Sequence, residues 1–191
     1  MNLHKSDNAK IQFQKERREH WDQIALQRDC KFKIGSYYHQ RIGEMYKFWI
    51  APNQKVLEFG SSDGDLLAAV NPSVGIGVDF SEKMVDRAKR KYPHLRFVVA
   101  DANEFELNET FDVIIFSELI NDLWDVQAVL EKLQKFCTPR TRIVLNFFSH
   151  VWEYPLTLAR KLGLATPLLK QNWLTVDDVL DLQNLADFEL V

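Results

Sequence analysis

Between Gln54 and Phe147 the chain switches repeatedly from short continuous apolar runs to stretches whose apolar residues recur every three or four positions. The runs at Val56–Leu57, Val74 to Val78, Leu95 to Ala100, Phe111 to Phe116 and Thr141 to Phe147 predict five strands. Four of them lack polar alternation, the mark of strands covered on both faces and hence of a parallel sheet. Helical stretches lie between them: Leu66, Leu67 and Val70; then Met84, Val85 and Ala88 behind an N-cap at Ser81; then Val126, Val129, Leu130, Leu133 and Phe136. Strands alternating with helices predict an α/β fold, doubly wound, with a mostly parallel sheet and helices on both faces.

The flanks read differently. Met1 to Ala9 is polar and predicted to fray. Ile11 to Arg28 carries Phe13, Trp21, Ile24 and Ala25 among many charges and predicts an exposed amphipathic helix, with KERREH as its solvated face. A second helix, Ser36 to Trp49, puts Tyr38, Ile42, Met45, Tyr46 and Trp49 on one stripe, and Pro52 follows it. After Phe147 come a helix with Leu156, Leu158, Leu162 and Leu164, a loop around Pro167 to Trp173, and a helix capped by Thr175 with Asp178 three positions on. A last apolar run, Phe188 to Val191, reads as a sixth strand. Residues 1–50 are therefore expected to cover the mouth of a site carried by residues 51–191, within one structural domain.

The first strand ends in Glu58 and breaks into a turn bounded by Gly60 and Gly64. A chain passing from strand to helix in five residues needs positions free of Cβ, and a ligand against the helix N-terminus needs bare N–H groups. The two glycines serve the first need and the amides near Ser61 and Ser62 the second. Asp79 ends the next strand about twenty residues on, where an acid reaches a ribose diol in a dinucleotide-type fold. An adenosine-containing ligand is the natural reading. Nicotinamide turns use G-x-G-x-x-G, whereas this turn reads E-x-G-x-x-x-G; with no Tyr-x-x-x-Lys pair, an oxidoreductase is disfavoured.

Glu58, Gly60 and Gly64, followed at successive strand ends by Asp79, by Asp101 with Ala102, and by Ser117, resemble the class I S-adenosylmethionine-dependent methyltransferases. Ser62 departs from the pattern, standing where that family most often has its middle glycine. The resemblance implies a Rossmann-like sheet, S-adenosyl-L-methionine as cofactor, and an enzyme that moves a methyl group to an O or N atom of a small-molecule acceptor. It implies that Asp79 binds both ribose hydroxyls, that Asp101 receives the adenine amino group, and that Ser117 and Glu118 line the methionine end. Phe80, Ser81 and Met84, beside Asp79, complete the expected cofactor set. The family's last, antiparallel strand has no counterpart here, so the chain is expected to be a fragment of a longer protein. The segments GSYYH, NDLWDVQ, PRTR and QNWLT resemble a bacterial subgroup sometimes joined to a glycosyltransferase domain, a fused or associated partner that the resemblance implies.

Composition narrows the partners. A net charge of −3 and a pI near 6.0 over 191 residues give no field that would hold a polyanion, so nucleic acid is not an expected partner. No stretch approaches the roughly 20 apolar residues of a membrane helix, and the N-terminus lacks a leader's apolar core. Membrane insertion and secretion are not expected, and a cytoplasmic location is. Cys30 and Cys137 form no C-x-x-C and lie near no clustered histidines, so no metal site is expected.

Three residues are candidates for catalysis. Leaving sulfide needs no proton, so alignment and desolvation carry most of the chemistry and a base is optional. His150, just past the fifth strand, is the best-placed base, with an ordinary surface histidine as the alternative. Asp122, with Asn121, follows the fourth strand where acceptors bind in the resembling family, but serves equally as N-cap of the helix that starts near Leu123. Tyr37 and His39 fall off the second helix's stripe and face the cofactor's methionine carboxylate, the acceptor, or solvent. Asn172 and Trp173 are either an acceptor wall or a plug at the domain edge, and Asp101 is alternatively a turn cap. A non-catalytic S-adenosylmethionine-binding scaffold or sensor is the competing function.

Overall fold

The computed structural model describes residues 3–27, 34–162, 169 and 171–190. Its elements are α1 (Leu3–Gln27), α2 (Ile34–Trp49), β1 (Lys55–Phe59), α3 (Asp65–Ala69), β2 (Val74–Asp79), α4 (Glu82–Lys91), β3 (Arg96–Val99), β4 (Val113–Ser117), α5 (Val126–Leu133), β5 (Arg142–Asn146), α6 (Glu153–Lys161) and α7 (Val176–Leu185). The five strands form one sheet in the order β3-β2-β1-β4-β5, every pair parallel. The order reverses between β1 and β4, the switch point at whose carboxyl end open α/β sheets hold ligands.

The apolar runs hide an alternation that only the packing reveals. Leu57, Phe59, Ile114 and Phe116 face α5 and α7 through Val129, Leu130, Leu133 and Val179. Their neighbours Val56, Val113 and Ile115 face Tyr46, Ile50, Leu67, Val85 and Ala88 from α2, α3 and α4. Both faces are covered, so the strand positions are apolar except at the ends and at the buried Glu58 of β1. Register levels those tips: Phe59 pairs with Val78 and with Phe116, Asp79 with Val99, and Ser117 with Asn146.

Four expectations are corrected. Helix α1 begins at Leu3 instead of after a frayed Ala9. Along α2 and the residue after it the buried line is Gly43, Tyr46 and Ile50; Tyr38 lies towards the other end of the helix, and Met45 and Trp49 fall one position off that line and are exposed. The helix after β4 is capped by Asp125, whose carboxylate accepts from the Ala128 N–H, and not by Asp122, which sits in a preceding 3-10 turn. Phe188 to Leu190 forms no strand: Phe188 packs against the α5–α7 core with no ladder beside it, so the sheet has five strands, not six. The Thr175–Asp178 capping box and the Ser81 cap are present as expected. Cys30, Leu164, Pro167 and Val191 lie outside the described residues.

Candidate cofactor site

The turn after β1 is held by its own backbone. The Gly60 and Ser61 N–H groups both donate to the Val78 carbonyl, at 2.8 and 3.1 Å, and the Ser62 N–H donates to Asp79 Oδ2 at 2.9 Å. Gly60 and Gly64 take φ of +71° and +82°, and Ser62 takes +49°, a left-handed conformation that costs a residue with a Cβ about 1–2 kcal/mol. A Cβ on Gly64 would lie 2.6 Å from the Phe97 ring, so this glycine is required by core packing as well as by the bend. The expectation that amides near Ser61 and Ser62 are free for a ligand is therefore corrected: they tie β1 to β2 and orient Asp79.

Three acids meet at this end of the sheet. Asp79, 8% exposed, accepts from the Ser62 N–H through one oxygen and from the Ser81 N–H, at 2.9 Å, through the other. Asp101 Oδ1 accepts from the backbone and side chain of Asn103, at 2.8 and 3.1 Å, so the residue caps its turn; Oδ2 accepts from Gln14 Nε2 at 2.9 Å. Glu58 points to the α3 face and is fully buried. Burial raises its carboxyl well above the usual range, against a hydrogen bond from the Leu67 backbone. Its Oε2 and the hydroxyl of Ser61 have no hydrogen-bond partner. Both oxygens lie within the protein behind the bend and away from the crevice lining.

A narrow crevice beside Asp79 and Asp101 is lined by Gly60, Asp79, Phe80, Asp101, Ala102 and Asp122 from the expected set. It is also lined by Phe13, Gln14 and Arg17 of α1 and by Leu119 and Trp124. Glu58, Ser61, Ser62, Gly64, Ser81 and Met84 stand behind its wall instead of on its surface; Met84 is core, with the Ser62 hydroxyl at 3.5 Å from its sulfur. Arg17 is the exception to the reading of KERREH as a solvated face, whose Lys15, Glu16, Arg18 and Glu19 are exposed. It is 6% exposed, and its Nε donates to the Asp122 carboxylate at 2.9 Å, while Trp21 Nε1 donates to the other oxygen at 3.0 Å. Spacing held the clue, since Arg17 lies four residues from both Phe13 and Trp21, on their stripe.

The expected acceptor residues divide. Asn121 is fully buried, donating to the Phe148 and Asn172 carbonyls and accepting from the Phe148 N–H, so it ties loops together. Asn172 returns the tie through its side chain to the Leu123 carbonyl. Trp173 lies under the Arg160 guanidinium at 5.9 Å. His150 is exposed, its N–H on the Leu174 carbonyl, and Tyr37 is 70% exposed; neither lines the crevice. Ser117 and Glu118 stand at the β4 tip. Glu118 takes φ +58°, and its carboxylate accepts a short hydrogen bond from the Tyr38 hydroxyl. Burial, then that bond, pushes the Tyr38 hydroxyl well above its ordinary range. Tyr38 also stacks on Phe148, a pairing that the α2 stripe did not suggest.

Comparison with known proteins agrees with this arrangement. Residues 56–140 match the family described as a methyltransferase domain. Over 102 residues the chain is 28% identical to a demethylmenaquinone methyltransferase of Streptomyces avermitilis, an alignment covering 52% of this chain and 44% of that protein. The chain thus spans less than half the length of the curated relative it matches. The magnesium protoporphyrin IX methyltransferase of Synechocystis PCC 6803, solved with bound SAH, superposes with a TM-score of 0.71 at 17% identity, over 94% of this chain and 90% of that one. A SAM-dependent methyltransferase of Thermotoga maritima gives 0.73 at 14% identity, over 91% and 81%. Residues 56–140 thus match a methyltransferase-domain family, and the sheet that carries them has the fold of the solved methyltransferases on which it superposes.

Proposed function

We propose that this chain binds S-adenosyl-L-methionine and transfers its methyl group to an O or N atom of a small-molecule acceptor. The observation that carries the reading is the meeting of Gly60, Asp79 and Asp101 at neighbouring strand ends, on the surface of one crevice. Asp79 would hold the ribose hydroxyls and Asp101 the adenine amino group, while Glu58 and Ser61, behind the wall, would support the bend. The bound cofactor would supply a methyl group on a sulfonium, whose departing sulfide takes no proton.

What the protein adds is alignment and exclusion of water. The acceptor would enter between α2 and the tips of β4 and β5, where Tyr38, Phe148 and Trp152 offer ring surface; planar or lipophilic acceptors suit it. Of the candidate bases, Asp122 is held by Arg17 and Trp21, while His150 and Tyr37 stand exposed. Glu118, already accepting from Tyr38, is the carboxylate best placed to take an acceptor's proton. A glycosyltransferase, fused or associated, is the partner class that the resemblance implies, and co-purification from the native host tests it.

Calorimetric titration should show S-adenosylhomocysteine binding and NAD failing to bind; the reverse result removes the reading. The engagement of both Asn121 and Asp122 by the protein itself favours one rival, a binding scaffold without catalysis. Single-turnover formation of S-adenosylhomocysteine in the presence of a metabolite pool separates the two, because a scaffold forms none.

A further inference from the structure

Helix α1 is long, yet among its described side chains only Arg17 and Ala25 are buried, so apolar burial does little to hold it down. What holds it is a row of polar bonds to the loops that follow three different strands. Gln14 donates to Asp101 after β3, Arg17 and Trp21 to Asp122 after β4, and Asp22 accepts from the Ser81 hydroxyl after β2. The Arg17 guanidinium lies 3.3 Å over the Phe13 ring, and that ring meets Trp124 edge-on at 5.0 Å. Phe13, Gln14 and Arg17 thereby form one wall of the crevice whose other walls are Val78, Phe80, Ala102 and Leu119.

Resting on the cofactor reading above, we propose that α1 supplies the outer half of the adenine pocket: Phe13 gives the ring a face, Gln14 holds the Asp101 carboxylate, and Arg17 locks the helix down through Asp122. The chemistry fits a flat heteroaromatic ring carrying an amino group. A carboxylate offers about four acceptor positions; Gln14 and Asn103 use three on Asp101, leaving one for an exocyclic amine in an otherwise apolar slot. Arg17 is a positioning residue, since its partner is a protein carboxylate. Breaking this buried pair within the chain loosens the hold of α1 on the Asp122 loop, so Arg17 acts on the ligand by keeping that wall closed.

Hydrogen exchange on the full chain, alone and with adenosine, methionine or S-adenosylhomocysteine, tests this directly. Adenosine and S-adenosylhomocysteine should slow exchange across residues 10–26, and methionine should not. Arg17→Met should speed S-adenosylhomocysteine dissociation about tenfold or more while circular dichroism of the sheet stays unchanged. Phe13→Ala, which breaks no ion pair and keeps the test open if Arg17→Met does not fold, should weaken adenosine at least about threefold. If S-adenosylhomocysteine binds the wild-type chain yet leaves α1 exchange unchanged, or if a folded Arg17→Met or Phe13→Ala releases ligand at the wild-type rate, the pocket ends at the sheet and the proposal is wrong. Failure of the wild-type chain to bind S-adenosylhomocysteine would remove the cofactor reading as well, so the two failures are told apart.

Discussion

The two sides of the sheet's carboxyl end are built on different principles. Around the β1, β2 and β3 tips the acids are anchored by backbone amides, Asp79 by those of Ser62 and Ser81 and Asp101 by that of Asn103, with α1 side chains added from outside. Around the β4 and β5 tips the groups are side chains on helices and loops, reached across long sequence separations: Tyr38 on Glu118, and Tyr46 on Asn146 at 2.7 Å. Exposure follows the same division, with Asp79 buried at one side and Tyr37, Trp152 and Tyr154 open to solvent at the other. The first side is a preorganised mould, suited to one invariant ligand. The second can change its residues without disturbing the core, as acceptor choice demands.

The strongest break of this contrast is Gly64→Ala. Its Cβ would meet Phe97 at 2.6 Å on a left-handed backbone, so denaturant unfolding should show a loss of about 2–4 kcal/mol; a change below about 1 kcal/mol would mean the mould is softer than it looks. Asp79→Ala should weaken S-adenosylhomocysteine by about 1.5–3 kcal/mol in calorimetry, and undiminished affinity would place the ribose elsewhere. Tyr38→Phe removes one hydrogen bond on the adaptable side. Methyl transfer should slow by about 0.5–1.5 kcal/mol with cofactor affinity unchanged; equal losses in both would merge the two sides into one.

The gentlest test is a slope against pH. Burial raises the Glu58 carboxyl above its unfolded value, so the stability it lends is full below the ordinary carboxylate range and is lost as pH climbs through the raised value. Glu58→Gln has no proton to lose. Its unfolding midpoint should stay level where that of the wild type declines, and the two curves should converge in acid. Parallel curves would show that Glu58 ionises freely in the folded chain.

Reading the chain without coordinates succeeded where neighbours in sequence are neighbours in space. Glu58, Gly60 and Gly64 announce a strand-to-helix bend because a left-handed φ and a missing Cβ are local demands. Ser81 and Thr175 announce caps for the same reason. It failed where a residue's partner lies far along the chain. Arg17 looked solvated because Asp122 is 105 positions away, and Tyr38 looked like core because the stripe on α2 cannot say which end of the helix meets the sheet. Asp122 read as the cap of the next helix, but a 3-10 turn holds it and Asp125 takes that place. Phe188 to Leu190 looked like a strand because an apolar run does not show whether a ladder is waiting.

By itself, then, the sequence determined the alternation of strands and helices, the acidic strand ends and the bend that cannot tolerate side chains, since each follows from periodicity or from the conformational limits of single residues. Only the tertiary structure decided which α1 side chains, Phe13, Gln14 and Arg17, reach the crevice, that Asn121 and Asp122 are spent on holding loops and helix together, and that Tyr38 serves Glu118. These depend on which distant surfaces meet, and burial turns a charge such as Arg17 from a solvated group into a structural one only after they have met.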